Sequence, residues 1–140
     1  MKYLMLTIGL LLSLNVSAKM SNCDIAKEAF RDSASLMSDA VLFAMNSDGK
    51  PGEYSYYHTW YENYYPKKIA SIKGRYDSYT KKVDSNNPIF LGITSIIQAN
   101  NFAKAMDLYL EDKSNKDKLK EAQELYNSMY QQLVKDCGKI

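Results

Sequence analysis

The chemistry open to this chain is limited by its reactive residues, one histidine and two cysteines in 140 residues. Any histidine-dependent mechanism rests on His58 alone. Glu62 lies one helical turn further on and can share its face, yet two ligands do not make a metal site, and no His-Glu-x-x-His pattern accompanies them. The two residues read as part of a solvated polar face. No Gly-rich phosphate loop and no Gly-x-Ser-x-Gly elbow occurs. A hydrolase working with paired carboxylates is the remaining enzymatic reading, but nothing among the 16 acidic residues singles out a pair. Cys23 and Cys137 form neither Cys-x-x-Cys nor Cys-x-x-Cys-His, so dithiol redox catalysis and covalent haem attachment have no basis. An even pair of this kind reads first as a disulfide. No cofactor is expected.

The least ordinary feature is aromatic. Between Tyr54 and Tyr65 the chain places Tyr54, Tyr56, Tyr57, Trp60, Tyr61, Tyr64 and Tyr65, which at 100° per residue cover about half a helix circumference. A bundle helix normally buries a stripe of about 100°. The centre of the arc, Tyr57 and Tyr64, is therefore expected in the core. Edge residues, Tyr56 with Trp60 or Tyr54 with Tyr65, are expected to reach the surface or a groove. Large rigid side chains with polar tips are what binding surfaces use. The candidate binding residues are Tyr54, Tyr56, Trp60, Tyr61 and Tyr65.

These residues must be positioned by helices, and the sequence predicts four. The first runs from about Asn22, its expected cap, to Met45, with Ile25, Ala29, Phe30, Leu36, Met37, Ala40, Val41 and Ala44 on one face. Turn formers from Ser47 to Gly52 end it. Asn46, Asp48 and Gly49 hint at a calcium loop, but the bidentate carboxylate such a loop needs is missing. The second stretch, Glu53 to Val83, contains Pro66. Its later apolar set (Ile69, Ile72, Tyr76, Tyr79, Val83) is rotated by roughly 90° from the aromatic one, so a kink or break is expected at Tyr65-Pro66. Asn87-Pro88 opens the third helix. Ile89, Ile93, Ile96, Ile97, Ala103 and Leu110 form its main stripe, with Asn100 and Asp107 in the middle. Leu91, Phe102, Met106 and Tyr109 make a second strip, expected to be partly open and available for self-association. The fourth helix opens at Ser114 or Asn115 and turns Leu119, Ala122, Leu125, Tyr126, Met129, Leu133 and Cys137 inward, with Gly138 as its cap.

The fold expected is an all-α, four-helix, up-down-up-down bundle. Its second helix is kinked or broken at Pro66, and a Cys23–Cys137 bond joins the N- and C-terminal helices. That topology brings the two cysteines to one end. In the entropic account a loop of this size restrains the unfolded chain by about 4–5 kcal/mol.

Residues 1–18 have the layout of a secretory signal: Lys2, an apolar run from Leu4 to Leu14, and Val16-Ser17-Ala18 before the cut. The run is too short to span a bilayer, so no stable membrane anchor is expected. Residues 19–140 then form one helical domain, periplasmic or secreted. Removing Lys2 from 18 basic residues leaves 17 against 16 acidic ones, interspersed, which argues against nucleic acid as a partner. The function expected is non-catalytic docking on another exported protein, as an inhibitor, immunity-type or accessory factor, with a homodimer possible. The alternative is a carrier of a small apolar or sugar-like ligand in an aromatic groove.

Overall fold

The computed structural model describes residues 20–47, 52–81 and 83–140. The expected signal segment and the Asp48-Gly49 turn lie outside them. Among the described residues the chain is all-helical, with five α-helices: α1 (Asn22–Ser47), α2 (Glu53–Asn63), α3 (Tyr65–Thr80), α4 (Pro88–Glu111) and α5 (Lys116–Cys137). A single 3₁₀ turn, Lys113–Asn115, leads into α5. No described helix is long and apolar enough to cross a membrane.

Local chemistry sets the helix ends. α1 is capped one residue earlier than expected, by Ser21 rather than Asn22. The Ser21 hydroxyl accepts from the Asp24 amide at 3.1 Å, and the Asp24 carboxylate accepts the Ser21 amide at 3.2 Å. This reciprocal box satisfies two donors that a helix start leaves unpaired. The same Ser21 bonds hold the Asp24 carboxyl below its usual range. Gly52 enters α2 with φ +77°, a left-handed conformation that costs glycine little. Asn87 accepts from the Ile89 amide at 3.0 Å and starts α4, with Pro88 in the first turn. The expected second helix is two helices. Its break falls at Tyr64, and Pro66 sits in the first turn of α3, where a missing N–H does no harm.

α1 and α4 each pack against all four other helices and share the most extensive contact, whereas α5 touches only α1, α4 and its own lead-in turn. The seam between α1 and α4 is built from small residues. Ala26, Ala29, Ser33, Ala40 and Ala44 of α1 are buried, as are Gly92, Ser95, Ala99 and Ala103 of α4. A Cβ on Gly92 would lie 2.6 Å from the Ala26 carbonyl oxygen and 2.9 Å from its Cα, so only glycine permits the approach. Three buried hydroxyls cross this seam to α5. Ser95 and Tyr126 each lie 3.0 Å from Ser33, and Ser33 also donates to the Phe30 carbonyl. The network binds three helices without stranding a polar group.

α3 is tied to α1 at the surface. Tyr76 donates to Asp32 at 2.6 Å, Arg75 pairs with Asp32 at 3.2 Å, and Lys68 pairs with Asp39 and donates to Ser35. Burial and the Asp32 bond push the Tyr76 phenol well up. Cys23 and Cys137 are joined with Cα atoms 5.5 Å apart, so the N- and C-terminal helices are linked as expected.

Of the strip expected on α4 for self-association, Phe102 is corrected to core, while Leu91, Met106 and Tyr109 keep partial exposure. Phe102 is only 4% exposed, and Leu91, Met106 and Tyr109 pack against the core. α4 has neighbours on several sides, so Phe102 of its second apolar strip is drawn into the core. The exposed apolar residues of α4 are Phe90 and Ile97, the latter expected inside. Val41 of α1 and Leu125 of α5 also face water against expectation.

Candidate functional site

α2 is short and carries aromatic residues on more than one side, and it bridges α1 and α4. Tyr57 is the wedge. It is fully buried, and its hydroxyl donates to the Ala103 carbonyl of α4 at 3.0 Å. Burial is the main reason its phenol is pushed far up.

On the α1 side, Phe43 stacks on Trp60 with ring centroids 4.5 Å apart and planes 15° apart, and on Tyr56 at 6.0 Å. Phe43, Tyr56, Thr59, Trp60 and Tyr64 line an open, mainly apolar groove of about 490 Å³. Tyr56 and Tyr64 are 52% and 67% exposed, whereas Trp60 is nearly buried and offers the groove its ring. Just beside Phe43 on α1, Leu42 and Met45 stand in water.

On the α4 side, His58 Nδ1 donates to the Asp107 carboxylate, 3.0 and 3.1 Å from its two oxygens. The His58 side chain is 41% exposed and that of Asp107 only 11%. The Tyr54 hydroxyl lies 3.4 Å from the same nitrogen, and its ring sits 5.0 Å from the imidazole. Partial burial, then the charges of Asp107, Glu111 and Glu62, push the Tyr54 phenol up. Burial and the carboxylates of Asp107 and Glu62 do the same to Tyr61.

The five aromatic candidates therefore do not form one surface. Tyr56 and Trp60 meet at the groove, while Tyr54 and Tyr61 lie half-buried toward α4. Tyr65 is 2% exposed, its ring against Trp60 and Tyr61, and its hydroxyl has no hydrogen-bond partner among the described residues. The expected centre of the arc is corrected in one position. Tyr64 is not core, because the backbone leaves the α2 helix there (φ −112°, ψ −41°) and the 100° spacing stops applying. Tyr65 turns inward in its place. His58 is likewise not on a fully solvated face. It sits on the edge of α2 that meets α4, where Asp107 needs a partner.

Sequence reasoning missed Phe43, which was assigned to no face, and Thr59. An aromatic residue off the main stripe of α1 was the available signal. Among the described residues no group of three or more His, Cys, Asp or Glu side chains is placed to hold a metal ion. No family model matches the chain, and no match was found among curated proteins or solved structures.

Proposed function

We propose that this chain is an exported helical protein that binds another exported protein without catalysis, as an inhibitor, immunity-type or accessory factor. The observation that carries the reading is the groove of Phe43, Tyr56, Thr59, Trp60 and Tyr64, with two half-open tyrosines on its rim and Leu42 and Met45 exposed nearby. Clustered exposed apolar and aromatic side chains of this kind mark interaction surfaces more often than they serve stability. Export rests on the N-terminal pattern, and a disulfide suits an oxidising compartment. An up-down-up-down path, with α2 and α3 as one broken limb, belongs to the same proposal.

One observation favours a second reading, a small-ligand carrier. The groove volume lies within the range of ligand sites, about 300–1,000 Å³.

The test compares the disulfide-bonded protein with a Tyr56→Ala/Tyr64→Ala variant as baits in an extract of exported proteins. Captured proteins and retained small molecules are identified by mass spectrometry. A protein that the parent holds and the variant loses, at an unchanged thermal midpoint, supports docking at the groove. A small molecule behaving the same way supports the carrier. A protein held equally by both baits rules out the groove as the docking site.

A further inference from the structure

We propose that the groove takes an arginine side chain of the docking protein, with the guanidinium stacked on ring faces and the stem laid along the apolar walls. This anchor rests on the docking reading above and gives it a chemistry.

The groove is built mainly of ring faces. Four of its five lining residues, Phe43, Tyr56, Trp60 and Tyr64, are aromatic, and among the described residues no lysine, arginine, histidine, aspartate or glutamate lines it. An aromatic ring is negative on its face and positive at its edge, so ring faces attract a cation. Thr59 is the fifth lining residue. Its hydroxyl hydrogen is committed to the Ser55 carbonyl at 2.7 Å, so its oxygen can offer a ligand only acceptor lone pairs. The hydroxyls of Tyr56 and Tyr64 rotate and accept as readily as they donate. Apart from the Trp60 indole N–H, none of these side chains is obliged to donate. An anion would meet ring faces and no basic side chain. A purely apolar occupant would give the Thr59 oxygen nothing to accept. A cation that carries N–H groups suits both.

Shape and hydration select among cations. Tyr56, Trp60 and Tyr64 recur every four residues, which at 1.5 Å per residue spreads them over about 12 Å. An open groove of that length suits an extended side chain better than a compact head group. A quaternary ammonium also has no N–H for the Thr59 oxygen, and a lysine ammonium holds its water strongly. Guanidinium is planar and more weakly hydrated, stacks on aromatic faces and carries five N–H donors. The three-carbon stem of arginine covers apolar surface while its head stays polar. Tyr56 and Tyr64, on the groove rim, are exposed enough to meet such a side chain as it arrives. Arginine is also enriched among the residues that dominate protein interfaces.

The test uses the whole disulfide-bonded protein and N-acetyl-arginine amide as the probe. The citrulline analogue, which keeps the shape and loses the charge, is the comparison. Trp60 is the only tryptophan in the chain, so its fluorescence reports on the groove directly. The arginine probe should bind about three- to tenfold more tightly than citrulline, the size of a cation–π contact at a partly exposed site. Tyr56→Leu/Tyr64→Leu keeps apolar walls and removes two ring faces, and should bring the two probes level at an unchanged thermal midpoint. Equal binding of both probes to the parent overturns the proposal, as does an arginine preference that survives in the double variant. Tighter binding of tetramethylammonium overturns it in favour of a quaternary-ammonium site, and tighter binding of norleucine amide in favour of an apolar one. No response of Trp60 to the arginine probe at any soluble concentration overturns it too. The probes need no partner protein, so failure here is distinguishable from failure to capture a protein at the groove.

Discussion

The α1–α4 seam and the environment of α2 solve the same packing problem with opposite materials. At the seam, alanines, serines and Gly92 let two backbones meet, and at Gly92 there is no room for one more carbon. Around α2, Phe43, Tyr57, Trp60, Tyr61 and Tyr65 fill a wider gap with stacked and tilted rings. Small residues close an interface completely. Rings of fixed shape leave edges, and one such edge is the groove. The difference teaches that the region proposed to bind is closed by ring shape and not by backbone approach, and general experience draws ligand-contacting elements from the weaker parts of a fold.

The sharpest way to break the comparison is to remove the wedge. Tyr57→Ala empties a fully buried site and strips the Ala103 carbonyl of a donor, and should cost about 3–5 kcal/mol in urea unfolding. A smaller loss would mean that the rings around it collapse inward. Gly92→Ala comes next. Alanine gains helix propensity, yet its methyl runs into Ala26 backbone, and overpacking of this sort costs about 1–3 kcal/mol. A stabilised Gly92→Ala protein would show that the seam can slide. The smallest effect belongs to Tyr64→Ala. With most of the side chain in water, stability should change by less than about 0.5 kcal/mol. A larger drop in thermal midpoint would show that the groove rim holds the α2–α3 break in place.

Much of this was legible in the residues themselves. The breakers at Gly52, Pro66 and Asn87-Pro88 and the cap at Gly138 mark helix ends, because each acts on backbone geometry at its own position. The cysteine pairing followed from even number and from the ends they occupy. The candidate site was only half legible. The periodicity argument assumes an unbroken helix, and it failed at Tyr64, where the helix stops. It failed again at Phe102, since a stripe pattern cannot tell how many neighbours a helix has. Asp107 in the middle of an apolar stripe was a visible anomaly that called for a partner, and the chain's one histidine supplied it. The seam was read only in part, at Ala29, Ala40, Ala44 and Ala103; Ala26, Ser33, Gly92, Ser95 and Ala99 escaped, because small residues give a weak periodic signal while determining how closely helices approach.

The Cys23–Cys137 bond, which spans a sequence separation of 114, makes the polypeptide between the two cysteines a closed covalent ring. A single protease cut in the turn between α3 and α4 opens that ring without releasing a fragment, and the two pieces stay tethered by the disulfide. Cut protein would run as two bands after reduction and as one before it. A tension applied to both ends beyond the cysteines would be carried by sulfur, and the helices between would feel none of it.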